Sequence, residues 1–154
     1  MEISGLYKAA DIEKVMHDPD ASKLVINKDK IIQSNLAPGI EAKAKEIKDG
    51  VSLDLKILPG RTIEKPIHLC FGVTDERALQ NILIDATIMD DSFVQIFAHC
   101  VFPVAKDIVH KMDATIKVEK GATYSYLEKH IHSLQNNSLS HTPKFITKLF
   151  FLLI

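Results

Sequence analysis

The chain has 154 residues, of which 46% are hydrophobic and 25% charged, the composition of an average soluble domain. Nineteen Lys and Arg residues nearly balance 20 Asp and Glu residues, so the net charge is −1 at pH 7. A near-neutral chain gives no electrostatic reason to bind nucleic acid or an anionic membrane, and neither is an expected partner. The two cysteines lack CxxC spacing and the N-terminus lacks a secretory pattern. We therefore expect a cytoplasmic protein with reduced thiols.

The first 50 residues predict an N-terminal helix and hairpin region. Ile12, Val15 and Met16 have helical spacing, and this helix is expected to end at HDPD, because a residue before proline avoids the helical conformation. Two apolar runs on either side of NKDK predict a β-hairpin. The following segment, 41–48 (EAKAKEIK), fits either a strand or a helix.

Residues 51–132 predict a mainly β region, because short runs rich in Val, Ile, Thr, Tyr and Phe alternate with polar residues. Three runs, LDLKI, IDATI and MDATI, carry Asp54, Asp85 and Asp113, which lie 31 and 28 residues apart. Each run leads into a predicted tight turn: Pro59-Gly60, Asp90-Asp91 and Lys120-Gly121. A repeat of this length predicts either stacked β-coils or a sandwich built by hairpin duplication.

Residues 133–154 form an atypical tail in this prediction. A polar stretch, SLQNNSLSHTP, is followed by KFITKLFFLLI, which ends in six consecutive apolar residues. This segment is too short to span a membrane as a helix. The pattern of the tail does not match the preceding repeat, which is typical of a truncated or frame-shifted product. The alternatives are that the tail is a docking helix, a docking strand or an interfacial anchor.

Glu128, His130 and His132 are the strongest candidate metal ligands. On a strand, residues at alternate positions share one face, so the two imidazoles are close enough to bind one metal ion. The carboxylate is then a third ligand or orients one of the histidines, and such ligands suit zinc, iron or manganese. Cys100 is added as a candidate because a thiolate is also a metal ligand. The alternative is that these residues are polar side chains on a half-buried strand.

Two further histidines adjoin the cysteines. His99 and Cys100 are adjacent, so a strand directs them to opposite faces, whereas His68 and Cys70 share a face. If the coils stack in register, His68, His99 and His130 are expected to form a ladder along one face.

No catalytic residue is predicted. The segment DIVHKMD spaces Asp107, His110 and Asp113 three residues apart, but a strand through MDATI argues against a shared acid–base site there. The sequence contains no P-loop, nucleophile elbow, Rossmann glycine fingerprint or HExxH motif.

Longer phrases of the chain resemble the SufB/SufD family of iron–sulfur cluster assembly scaffold proteins. They are DGVSLDLKILPGRTIEKPIHLCFGV, ATIMDDSFVQIFAHCVFP and DIVHKMDATIKVEKGATYSYLEKHIH, and the resemblance covers roughly residues 10–132. It implies a right-handed parallel β-helix of stacked coils, preceded by a short helical segment. It also implies a cytoplasmic complex with an ABC-type ATPase and a paralogous or identical scaffold subunit. Iron or an iron–sulfur cluster would be held transiently, by a scaffold and not by a stand-alone enzyme.

Family members continue beyond the strand that holds His130 and His132, with further coils and a C-terminal segment that binds the ATPase. Their main sulfur-accepting cysteine lies in that later part, so no family site residue is assigned to this chain. Three functions remain open from the sequence. They are a scaffold for iron–sulfur cluster assembly, a small metal-binding β protein using Glu128, His130 and His132, and a structural β-solenoid module that self-associates.

Overall fold

The computed structural model describes residues 3–132 and 144–153, which form two short helices and ten strands. In chain order these are α1 (Ile3–Ala9), α2 (Glu13–His17), β1 (Lys23–Asn27), β2 (Lys30–Asn35), β3 (Ile40–Ile47), β4 (Gly50–Ile57), β5 (Ile67–Gly72), β6 (Arg77–Ile88), β7 (Phe93–Phe102), β8 (Asp107–Val118), β9 (Thr123–His132) and β10 (Lys144–Leu153). The prediction of a mainly β chain is confirmed.

The strands form two five-stranded mixed sheets. Sheet A has the order β2-β1-β5-β7-β9, and sheet B has the order β10-β8-β6-β4-β3. From β4 to β10 the strands alternate between the two sheets, and from β6 onward each pairs in parallel with the strand two positions earlier. Duplicated hairpins would instead pair consecutive strands in antiparallel fashion. The sandwich built by hairpin duplication is therefore wrong for this region.

The predictions for the N-terminal region agree with the structure. Helix α2 ends at His17, because Asp18, the residue before the proline, is extended, and β1 pairs with β2 as an antiparallel hairpin. The ambiguous segment belongs to β3, which pairs with β4, because its apolar residues alternate and turn toward the core. Strands β1 and β3 thus join the same two sheets as the later repeat.

The predicted repeat appears in the pairing of strands β4, β6 and β8, although the register differs between the two pairs. Asp54 lies directly opposite Asp85, whereas Asp113 lies opposite Leu83, so the third copy is displaced by two residues. The three predicted turns stack on one another through backbone bonds. The Gly60 N–H donates to the Asp90 carbonyl at 2.8 Å, and the Asp91 N–H donates to the Lys120 carbonyl at 2.9 Å.

Two apolar clusters stabilise the fold. The larger one lies between the sheets and includes the inward-facing residues of strands from both of them. The smaller one packs the helices against the outer face of sheet A, and it contains Leu6, Tyr7, Ala10, Ile12, Met16, Val25, Cys70 and Val101. The helices therefore cover part of the outer face of sheet A, where they bury Cys70 of β5 and Val101 of β7.

The last strand contrasts with this core. Strand β10 pairs in parallel with β8, so the docking-strand alternative fits residues 144–153, while residues 133–143 of the predicted tail lie outside the described residues. Phe150, Phe151, Leu152 and Leu153 are all exposed. Within the described residues, no helix has the length and hydropathy needed to cross a membrane.

Candidate metal centre

Three side chains with different ligand atoms meet between the two sheets. Cys100 comes from the inner face of β7, Glu128 from the same face of β9, and His110 from the facing strand β8 of sheet B. Their sulfur, oxygen and nitrogen ligand atoms all lie within 4.8 Å of one another. This arrangement of a thiol, a carboxylate and an imidazole suits a metal ion of the zinc class.

The distances and burial of this cluster are those of an interior site with one accessible side. The Cys100 Sγ lies 3.6 Å from the His110 Nε2 and 3.7 Å from the Glu128 Oε1. Cys100 and His110 have no solvent exposure, whereas the side chains of Glu128 and His130 are 14% and 26% exposed. The cluster is therefore reached from the β9 side, where sheet A ends within the described residues.

Gln80 fixes the orientation and tautomer of His110. The Gln80 amide nitrogen donates to the carbonyls of Lys28 and Gly72, at 2.9 and 3.1 Å, so the amide oxygen is left as an acceptor. That oxygen lies 2.8 Å from the His110 Nδ1, which must therefore carry the proton. The Nε2 of His110 consequently presents a lone pair toward Cys100.

Glu128 is held from two directions. The Tyr126 hydroxyl donates to its Oε2 at 2.9 Å, and the His130 Nε2 bonds to its Oε1. Burial raises the pKa of Tyr126, and the neighbouring Glu128 charge raises it further, so the phenol stays protonated. The structure therefore brings Glu128 and His130, two of the residues predicted as ligands, into direct contact.

Burial also keeps the two interior ligands uncharged. It raises the pKa of the Cys100 thiol, as does the charge of Glu128. It lowers the pKa of His110 to about 4, with a further contribution from His130. Without a cation, the cluster is thus a neutral thiol and a neutral imidazole beside Glu128.

His132 lies apart from this cluster. It is exposed at the end of β9, and its ring stacks on Phe102 with centroids 5.9 Å apart. The three-residue set predicted on β9 is therefore divided: Glu128 and His130 face the interior cluster, and His132 covers an aromatic ring at its edge.

A second histidine pair lies on the outer face of sheet A. The His68 Nδ1 and the His99 Nε2 are 3.1 Å apart, and the two rings are stacked with centroids 5.4 Å apart. The Nδ1 of His99 is buried without a hydrogen-bond partner. His99 thus lies with His68 on the outer face, whereas Cys100 belongs to the cluster between the sheets, so the two neighbours point to opposite faces, as predicted.

The predicted ladder of His68, His99 and His130 is wrong. Strand β5 pairs with β7 so that Cys70 lies opposite His99, but β7 pairs with β9 so that Cys100 lies opposite His130. Paired residues of β5 and β7 are 29 positions apart in sequence, and those of β7 and β9 are 30 apart. The residue opposite His99 is therefore Lys129, and His130 lies one position further along β9. A displacement of one residue moves a side chain to the other face of a strand.

His110 is the cluster residue that sequence reasoning did not select. It occupies one of the alternating buried positions of β8, with Ile108, Met112, Ala114 and Ile116. A titratable residue on an otherwise apolar strand face was the available signal. Asp107 and Asp113 lie on the exposed face of β8, and His110 lies on the buried face.

Two relatives with assigned names match most of the chain. An iron–sulfur cluster assembly SufBD family protein of Pyrococcus horikoshii is 31% identical over 137 residues, which is 89% of this chain and 42% of the relative. A protein of the same description from Methanocaldococcus jannaschii is 30% identical over 133 residues, 86% of this chain and 42% of the relative. The chain is therefore a homologue of these two SufBD family proteins. The resemblance predicted from the sequence is thereby confirmed.

The chain spans about two fifths of the length of these curated relatives. No family model matches it, and no solved structure matches it either.

Proposed function

We propose that this SufBD homologue acts in iron–sulfur cluster assembly, as a scaffold and not as a stand-alone enzyme. The observation that carries the proposal is the alignment of two proteins named for that process with 86–89% of the chain. Iron, or a nascent iron–sulfur cluster, is the cargo of such a scaffold. The thiol and the imidazoles of the interior cluster are the kinds of ligand that this cargo takes.

The fold that suits this function is a right-handed parallel β-helix. The alternation of strands between two sheets, with parallel pairing of every second strand, supports it. In this proposal residues 51–132 are the β-helix core, residues 1–50 are its helix and hairpin region, and residues 133–154 are a distinct tail.

The proposed partners are an ABC-type ATPase and a second scaffold subunit, either paralogous or identical, in the cytoplasm. The ATPase would supply the energy for rearranging the scaffold pair, since this chain contains no P-loop of its own. The near-zero net charge supports recognition of a protein surface over a polyanion.

Affinity purification of the full chain from extracts of its native host tests the proposal. We expect mass spectrometry to find an ABC-type ATPase and other iron–sulfur assembly proteins, and the ATPase to be enriched when ATP is added. A Gly50→Val bait, which should not fold correctly, is the control for proteins that bind any unfolded chain. A Cβ at Gly50 would lie 1.7 Å from the Asn81 carbonyl oxygen and would separate β4 from β6. Recovery of neither protein class by the wild-type bait would contradict the scaffold role.

A second candidate function is self-association, favoured by the exposed apolar surface of β10. Ile146, Phe150 and Leu152 are 45%, 63% and 54% exposed, and β10 is an edge strand within the described residues. Exposed edges and apolar faces pair readily with another chain. Light scattering should then show an oligomer that becomes a monomer when residues 145–154 are deleted. A monomeric wild-type chain would contradict this function.

A further inference from the structure

We infer that Cys100, His110 and Glu128 form an interior binding site for one divalent cation of the zinc class, such as Zn²⁺, Fe²⁺ or Co²⁺. The site is complete within this chain, so it requires neither the ATPase nor a second subunit. It differs from the predicted set by including His110 and excluding His130 and His132.

Two of the three distances between the ligand atoms match those of a tetrahedral cation, and the third, between His110 and Glu128, is within 4.8 Å. With metal–sulfur bonds of about 2.3 Å and metal–nitrogen bonds of about 2.1 Å, the sulfur and nitrogen of such a site are about 3.6 Å apart. The Cys100 Sγ and the His110 Nε2 are 3.6 Å apart. The same bond lengths put sulfur and a carboxylate oxygen about 3.6 Å apart, and here the distance is 3.7 Å. A cation bound to Cys100 would therefore require little change in its distances to His110 and Glu128.

The surrounding residues orient each ligand for this purpose. Gln80 holds the proton of His110 on Nδ1, which leaves the Nε2 lone pair for the cation. Tyr126 holds the Oε2 of Glu128, and the Oε1, which also bonds to His130, faces Cys100. Histidine and carboxylate ligands of protein metal sites are oriented by hydrogen bonds of this kind.

Charge balance also favours a divalent cation. When the cation binds, the Cys100 S–H bond breaks, a sulfur–metal bond forms, and the released proton passes to solvent. The thiolate and the Glu128 carboxylate then contribute two negative charges that neutralise the cation inside the core. Neutrality matters here, because an uncompensated buried charge is costly. The thiolate selects against Mg²⁺ and Ca²⁺, which prefer oxygen ligands.

Three protein ligands leave a fourth position of the cation for another group. The partly exposed side of the cluster, formed by Glu128 and His130, is where such a group has access. In zinc proteins, an open fourth position distinguishes sites that bind a substrate or water from closed structural sites.

Cobalt titration of the chelator-treated full chain tests the inference. We expect one Co²⁺ per chain, with the visible spectrum of tetrahedral cobalt and a near-ultraviolet sulfur-to-cobalt charge-transfer band. Cys100→Ser should abolish the charge-transfer band, and Glu128→Gln should weaken binding at least about 10-fold. Cys70→Ser, which alters the other buried thiol, and His132→Ala, which alters the exposed histidine of β9, should bind as the wild type does.

Several results would overturn the inference. They are a wild-type chain that binds no Co²⁺, binding without a sulfur band, and a band that survives Cys100→Ser or is lost equally in Cys70→Ser. Circular dichroism of each variant checks the fold. If Cys100→Ser does not fold, Glu128→Gln decides the matter, because this residue is partly exposed and the replacement keeps its size. The metal titration does not depend on the ATPase, so its outcome is separate from that of the affinity purification.

Discussion

On the outer face of sheet A, His68 and His99 stack on each other, whereas on the inner face Cys100 meets His110 and Glu128 below sheet B. The outer pair offers two imidazoles, and the inner cluster offers sulfur, nitrogen and oxygen. Neighbours in sequence, His99 and Cys100, thus belong to environments of different chemistry. Strand alternation alone separates them.

The two environments also differ in charge. Burial, together with the neighbouring His68 and Lys129, lowers the pKa of His99 to about 4. The inner cluster contains a carboxylate, Glu128, which attracts a cation and favours its entry. Lys129 thus opposes added positive charge at the outer pair, while Glu128 favours it at the inner cluster. This contrast is the reason for assigning a cation site to one face and not to the other.

The largest expected effect is the loss of stability when a buried aromatic ring is removed from the inner face of sheet A. Phe102 is fully buried, with its ring centroid 5.3 Å from that of His110, whereas Phe97 is half-buried beside His68. Phe102→Ala should lower the free energy of unfolding by about 3 to 5 kcal/mol, since it leaves a cavity. Phe97→Ala, the matched outer-face change, should cost about 1.5 kcal/mol. Urea unfolding measures both, and equal losses would contradict the difference in packing.

Acid should destabilise the inner face through His110. Its pKa is lowered from 6.5 to about 4 in the folded chain, so its contribution to stability is complete above pH 6.5. That contribution is lost as the pH falls toward 4, because the unfolded chain binds the proton first. Between pH 7 and pH 4.5 the loss should be about 2 kcal/mol. Urea unfolding of His110→Gln should show a shallower pH dependence in this interval, and an unchanged slope would contradict the prediction.

The orientation of His110 is tested through Gln80. Gln80→Leu leaves the Nδ1 proton of His110 without its acceptor and two backbone carbonyls without their donor. We expect a loss of at least about 1 kcal/mol in stability and a loss of about 10- to 100-fold in cobalt affinity. Gln33→Leu is the control on the outer side, where Gln33 accepts a hydrogen bond from Tyr7. Unchanged cobalt affinity in Gln80→Leu would show that the histidine needs no orienting residue.

The two thiols should react alike, although they lie on opposite faces. Burial raises the pKa of Cys70 to about 12 and also raises the pKa of Cys100. The reactive species is the thiolate, so neither residue should be alkylated by iodoacetamide in the folded chain at pH 8. Mass spectrometry should find both modified only after unfolding in urea. Rapid alkylation of either thiol in the folded chain would contradict its burial.

Local patterns in the sequence predicted much of the fold. The turn residues at Gly60, Asp91 and Gly121 all adopt positive φ angles, of 66°, 53° and 70°, and Gly and Asp favour such positions. The alternation of apolar residues likewise predicted the strands and the separation of His99 from Cys100. These features depend on neighbours in sequence, so a single chain is enough to predict them.

Strand register and the contacts between the two sheets could not be predicted in this way, because they depend on residues that are far apart in the sequence. A change of one residue in the length of a coil decides whether His130 lies on the same face as His99. The spacing of the sequence repeat does not determine that length to within one residue. His110 joins Cys100 and Glu128 across the interior from the other sheet. The candidate site was therefore predicted only where it follows one strand, β9, with Cys100 added on chemical grounds.

X-ray absorption spectroscopy of the zinc-loaded full chain tests the assignment of the inner cluster most directly. We expect one sulfur atom at about 2.3 Å from the zinc, with nitrogen and oxygen atoms at about 2.0 to 2.2 Å. This result would place the ion at Cys100, since Cys70 faces the helices on the other side of the sheet. A coordination shell of nitrogen and oxygen alone would contradict the account, because it would leave Cys100 outside the site.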